Sequence, residues 1–140
     1  MPIEIKDWDR GLGLFIRGWE VTIEGELVDK LQKHLMQDKE KLKRYRYSLS
    51  DYTAITKTDI STATVESTAD FLLSVADINP DVIAATVANQ DVLFGLSRMG
   101  EILRDKASWE EMVFRNMEDA KNWIQKRVKE KYGIETLTFK

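Results

Sequence analysis

The chain has 140 residues, 43% hydrophobic and 32% charged, with a net charge of −3 and no cysteine. That length supports one domain over residues 1–140 with a real core, and the composition excludes disorder. The balance of charge leaves no global footprint for nucleic acid, the missing thiols exclude disulfides, cysteine-based zinc sites and Fe–S clusters, and no apolar run reaches the ~20 residues that span a bilayer.

The charged opening MPIEIKDWDR has no apolar core of signal-peptide length, which predicts a cytoplasmic protein. Ile3-Glu4-Ile5 alternates as a short strand, and Trp8-Asp9-Arg10-Gly11 reads as a turn. Residues 13–20, GLFIRGWE, mix β-branched and aromatic side chains and form the second arm of a hairpin. From Thr22 the period becomes helical. Leu27, Val28, Leu31, Leu35 and Leu42 make one amphipathic stripe, and Glu24 and Glu26 complement the dipole of its first turn.

Residues 45–55 alternate again, with Tyr45, Tyr47 and Leu49 on one face and Arg46, Ser48 and Ser50 on the other. A hydroxyl-rich turn follows, and then Val65, Ala69, Leu72 and Ala76 mark a helix that Asn79-Pro80 ends. The run VIAATVA at 82–88 is the pattern of a strand covered on both faces. Val92, Leu96, Met99 and Leu103, with Leu93 and Ile102, give another helix after Asn89-Gln90-Asp91. EMVFR at 111–115 is a short strand. Asn116 with Asp119 three residues on resembles a capping box, and Ala120, Trp123, Ile124, Arg127 and Val128 place a last helix that stops at Gly133.

The fold class that follows is α/β: a mixed, mainly parallel sheet of about five strands with four helices, in the order ββαβαβαβα. Its most informative junction is Thr58-Asp59-Ile60-Ser61-Thr62, where a strand ends and a helix begins. A carboxylate and several hydroxyls gather there at unpaired backbone N–H groups, which favour anions. The same residue types are the ordinary N-caps of any helix.

In order, lengths and motif position the chain resembles the STAS fold of anti-sigma-factor antagonists, and specifically the SpoIIAA-like family. The resemblance covers essentially the whole chain. In that family a strand ends in an Asp-Ser-Ser-Gly turn, and one turn serine is phosphorylated by a partner kinase. Asp59 matches the acidic residue and Ser61 is the nearest match to the modified serine, while Ile60 interrupts the motif and Ala63 stands where the family has glycine. The resemblance implies a regulatory protein partner, with Asp59, Ser61 and Thr62 as the candidate switch or interaction turn. A phosphate on Ser61 would bring roughly −1.5 to −2 charges to a helix start.

Other features have simpler readings beside functional ones. Lys39, Lys41, Lys43, Arg44 and Arg46 form a basic run that reads as a solvated helix end or as a patch for a lipid or membrane surface. His34, the only histidine, lies among Leu31, Leu35 and Met36. A hydrolase would need it beside Ser48, Ser50 or Ser61. No phosphate loop, dinucleotide loop, nucleophile elbow or HExxH pattern occurs, so no catalytic residue, metal or cofactor is assigned.

Val92, Leu93, Phe94, Leu96 and Met99 are apolar around nearly the whole helix, a candidate face for an apolar ligand, a lipid or a second copy. The reading is a non-catalytic interaction module that binds protein, expected as a homodimer. The alternative is a carrier of a small apolar ligand or lipid, and no nucleic acid is expected.

Overall fold

A computed structural model describes residues 3–59, 62–91, 95 and 109–140. The described elements are β1 (Ile3–Trp8), a 3-10 turn (Asp9–Gly11), β2 (Gly13–Ile23), α1 (Glu24–Met36), α2 (Lys39–Leu42), β3 (Tyr47–Asp59), α3 (Thr62–Ile78), β4 (Ile83–Val87), β5 (Glu110–Phe114) and α4 (Met117–Tyr132). They build one sheet in the order β1-β2-β3-β4-β5. β1 and β2 pair antiparallel as the expected hairpin, and every later pair is parallel. The fold is therefore mixed α/β with a mainly parallel sheet. The helix expected over residues 92–103 lies, apart from Gly95, outside the described residues.

Both faces of the sheet are covered, which explains the nearly continuous apolar run of β4. On one face α4 lays Ala120, Ile124 and Val128 on Phe15, Tyr47, Leu49, Ile83, Ala85 and Val87. On the other, α1, α2 and α3 bring Leu31, Leu35, Leu42 and Val75 to Leu14, Ile16, Tyr45 and Val82. Ile124 and Val128 are fully buried, and each such side chain stabilises the fold by about 1.5–3 kcal/mol. Ser48 and Ser50 alternate with this core and are also buried, because the second helical layer covers the face they share.

Helix boundaries follow local chemistry. The Asn116 side chain accepts the Asp119 N–H at 2.9 Å and donates to the Asp119 carboxylate at 3.0 Å, a side-chain variant of the expected capping box. Gly133, at φ +71°, closes α4 in the left-handed conformation, its N–H bonded to Lys129 O.

Two expectations are corrected. The stripe from Leu27 to Leu42 is not one helix, because Asp38 interrupts it. Its carboxylate accepts the N–H groups of Glu40 and Lys41 and starts α2 as a separate turn. The strand expected over 45–55 runs from Tyr47 to Asp59, and Tyr45 precedes it. Tyr45 consequently faces the α1 side while Tyr47 and Leu49 face α4, so the three do not share a face.

β2 and β3 continue past β4. Their pairing extends to Ile23↔Asp59, with irregularities between Arg17 and Trp19 and between Glu20 and Val21, while β4 pairs β3 only as far as Asp51. Glu20 takes φ +58° at the second irregularity. This long ribbon carries the two chain segments that enter α1 and α3.

Candidate functional site

The junction picked out in the sequence is a strand-to-helix turn. Asp59 is the last residue of β3 and Thr62 the first of α3. Ser61 lies outside the described residues, as do Val92, Leu93, Phe94, Leu96 and Met99 of the candidate apolar face.

From this turn α3 runs back along the sheet and buries Ala69, Val75 and Ala76. Its opposite side exposes Ala63, Glu66, Ser67, Asp70, Ser74 and Asp77, spaced by three and four residues, so all six lie on one helical face. The Ser67 hydroxyl donates to Ala63 O at 3.1 Å and the Ser74 hydroxyl to Phe71 O. With the hydroxyls turned back onto the helix, the groups projecting from this face are the carboxylates of Glu66, Asp70 and Asp77. No lysine or arginine occurs anywhere in α3. Asp77 also sits in the last turn, where the helix dipole disfavours an anion by a few tenths of a kcal/mol.

The one histidine lies elsewhere and is not isolated. His34 Nε2 is 3.0 Å from Asp7 Oδ1 and 3.3 Å from the Tyr45 hydroxyl. Tyr45 donates to the same Asp7 oxygen, and the Lys41 ammonium takes the other one. The side chains of His34 and Asp7 keep 22% and 20% of their exposure. Burial alone would raise the Asp7 pKa, but the bonds from Lys41, Tyr45 and His34 outweigh it and hold the carboxyl below its ordinary value. Burial first, and then the Asp7 charge, push the Tyr45 phenol upward, so it stays protonated and donates.

Among the described residues, no hydrogen bond joins His34 to Ser48 or Ser50. The hydroxyl at His34 is a protonated phenol whose proton is already given to Asp7. Chemically the cluster is a closed clasp that ties the end of β1 to α1, α2 and the entry to β3.

A second carboxylate–tyrosine pair lies two residues further along both segments, on the α4 side of the sheet. Tyr47 donates to Asp9 Oδ2, and Asp9 Oδ1 accepts the backbone N–H of Thr138 at 2.7 Å and its hydroxyl at 2.6 Å. The Phe139 N–H reaches Asp9 Oδ2 at 3.1 Å, and the Asp9 N–H donates to Lys140 O at 2.7 Å. Asp9, Arg10 and Phe139 all take positive φ, near +50° to +58°, where the two segments meet. Burial would raise the Asp9 pKa, but the bonds from Thr138, Tyr47 and Phe139 lower it overall. The Phe139 ring packs edge-on to Tyr47 at 5.6 Å.

Sequence reasoning missed both clasps. The signal present was a matched spacing: Asp7 and Asp9 two apart, Tyr45 and Tyr47 two apart, each pair separated by 38 residues.

The basic run is mostly committed within the fold. Lys41 pairs with Asp7 and Lys43 with Glu40. Arg46 donates to the Lys43 and Tyr45 carbonyls and lies 5.7 Å from the Tyr132 ring centroid. Among the described residues, no group of three or more acidic or histidine side chains is placed to hold a metal, and no helix is long and apolar enough to cross a membrane.

No family model matches the chain, and no curated protein matches it. Among solved structures, it is similar to an uncharacterized protein of the DUF3478 family with a SpoIIAA-like fold, from Shewanella loihica PV-4. The TM-score is 0.53 at 14% identity, over 87% of this chain and 91% of that one. At that identity the likeness shows the fold alone: the chain has a SpoIIAA-like α/β fold, as its element order implied.

Proposed function

We propose that this SpoIIAA-like chain is a non-catalytic module that acts by binding a protein partner through the outward face of α3 and the turn that opens it. The observation that carries this reading is the composition of that face. Short side chains at Ala63, Ser67 and Ser74 leave the backbone cylinder accessible, and three carboxylates give it one sign of charge. A partner presenting lysine or arginine fits it, because complementary charge speeds encounter and selects orientation.

The resemblance supports the same location, since the family's switch turn opens this helix. A non-catalytic role is supported by His34, whose neighbours are a committed carboxylate and a tyrosine held in its protonated form.

The test is site-specific photo-crosslinking from position 67 in cells, with Glu66→Lys/Asp70→Lys as the reversed-charge variant and Lys126→Glu on α4 as the control. One protein is expected to crosslink to the parent chain and to the control, and to be lost in the reversed variant. Equal crosslinking in all three removes α3 as the contact face. Ser61→Asp and Thr62→Asp then address the turn. A changed affinity for that partner at an unchanged melting temperature supports a switch, and a drop in melting temperature alone identifies an ordinary helix cap.

A further inference from the structure

Residues 134–140 follow α4 without forming a helix or a strand, and they run back to the turn after β1. α4 itself packs on β3, β4 and β5. On the same face of the sheet Ile134, Leu137 and Phe139 join Trp8 of β1 and Phe15 of β2 in one apolar cluster. The Phe139 ring stands edge-on to Tyr47 at 5.6 Å. Leu137 is buried, whereas Glu135, Thr136 and Thr138 are exposed.

The fold holds this strap by its backbone. Gln125 Nε2 donates to Ile134 O at 3.5 Å and to Glu135 O at 3.2 Å, and Gln125 Oε1 accepts the Leu137 N–H at 2.7 Å. Asp9 accepts the N–H groups of Thr138 and Phe139 at 2.7 and 3.1 Å, and its own N–H donates to Lys140 O at 2.7 Å. All of these bonds reach main-chain atoms of the strap. The Thr138 hydroxyl adds one from a side chain, and the Lys129–Glu135 ion pair is exposed at both ends. Main-chain bonds for affinity, with apolar seats for spaced side chains, are how proteins hold an extended peptide.

We infer that the groove between α4 and the turn after β1 is a binding site for an extended segment of a partner protein, and that the strap is its built-in competitor. The seated strap states the chemistry of that segment: an aliphatic residue, a second one three positions on, then a hydroxyl and an aromatic ring. Closing the strap has a conformational cost, because Asp9, Arg10 and Phe139 take positive φ where strap and turn meet. Gly133 is the joint: it is exposed, and no atom lies within 4 Å of where its Cβ would stand. Only the open strap leaves the groove available, so the closed fraction lowers the apparent affinity for any segment offered in trans. The groove lies on the α4 face while α3 covers the opposite one, so this inference and the reading of α3 fail separately.

Fluorescence anisotropy with a labelled synthetic peptide of residues 134–140, IETLTFK, tests the proposal. The full chain carrying Leu137→Asp, with its strap loosened, is expected to bind the peptide about tenfold more tightly than the parent chain, whose strap competes. Adding Gln125→Ala should weaken that binding about tenfold, and a peptide carrying Leu137→Asp should not bind. Equal affinity for the parent and Leu137→Asp chains overturns the proposal. So does a folded Leu137→Asp chain that binds no peptide, or binding indifferent to Gln125→Ala and to the altered peptide. A parent-chain dimer in sedimentation that Leu137→Asp dissociates assigns the groove to a second copy's strap and overturns the partner. If Leu137→Asp does not fold, Thr138→Pro, which removes both Thr138 bonds to Asp9, takes its place with the same outcomes.

Discussion

Gly13 lies beneath the ring of Tyr47, and a Cβ at position 13 would overlap the ring carbons and the phenol oxygen. The reason is topological. β2 lies between β1 and β3, with Trp8↔Gly13 and Gly13↔Tyr47 in register, so the tyrosine must cross β2 to reach Asp9. Only a residue without a side chain leaves that path open.

Gly13→Ala is therefore expected to destabilise the fold by about 1–3 kcal/mol, the usual range for forcing a methyl into a packed interior. Urea denaturation measures it. The effect should shrink in a Tyr47→Leu background, where no ring crosses position 13, and this non-additivity identifies the contact. Equal costs in both backgrounds would show that the ring does not set the requirement.

Asp9 is the anchor of the segment that follows α4. Its carboxylate takes hydrogen bonds from Tyr47, Thr138 and Phe139, and its own N–H donates to Lys140. Asp9→Asn keeps the shape but turns one acceptor into a donor, at a cost of about 1–3 kcal/mol. Amide exchange should quicken at Thr138 and Phe139 while Ile124 in α4 keeps its protection. Uniform loss across α4 would mean that the segment and the helix open as one unit.

Stability should fall at both extremes of pH for different reasons. Asp7, Asp9 and Glu110 have folded pKa values below their ordinary ones: Asp7 and Asp9 despite burial, Glu110 chiefly through Arg127. A lowered carboxyl contributes stability above its unfolded value, near 3.8 for aspartate, and loses it as pH falls through the folded value. The loss therefore begins near pH 4 and grows below it.

The phenols of Tyr45 and Tyr47 are raised from 10.0, mainly by burial. They favour the folded state up to about pH 10, and that contribution is lost as pH rises further, because the unfolded chain ionises first. Denaturation midpoints from pH 2 to 11 check both limbs. Asp7→Asn should flatten the acid limb and Tyr47→Phe the alkaline one, and unchanged slopes would dissociate these groups from the pH response.

Asn79 ties four segments together from a buried position. Its side-chain amide donates to Leu42 O at 2.8 Å and Tyr45 O at 3.0 Å and accepts the Asp81 N–H at 3.0 Å. The Asn79 backbone carbonyl accepts the Trp109 indole N–H at 2.6 Å. Asn79→Ala strands the Leu42 and Tyr45 carbonyls and the Asp81 N–H, leaves the backbone bond to Trp109 in place, and should cost about 2–4 kcal/mol, whereas Asn79→Asp, nearly isosteric, should cost more by aiming a carboxylate at two carbonyls. Thermal melts of the two variants check the order, and an aspartate variant more stable than the alanine one would contradict it.

The sequence by itself determined what depends on neighbours a few residues away. The continuous apolar run of β4, the stripe of Ala120, Ile124 and Val128, the Asn116 cap and the Gly133 stop were all legible because each is set within one or two turns of chain. So was the location of Asp59 and Thr62 at a strand-to-helix junction, and with it the element order. The tertiary structure alone decided the partnerships of Asp7 with Tyr45 and of Asp9 with Tyr47.

In a regular strand the two tyrosines would share a face, and so would the two aspartates. Tyr45 lies before β3 begins, and Asp9 and Arg10 turn with positive φ, so each pair divides between opposite faces of the sheet. No periodicity in either segment encodes that division. It follows from the register of a third strand, β2, and from the space Gly13 leaves for one ring to cross it.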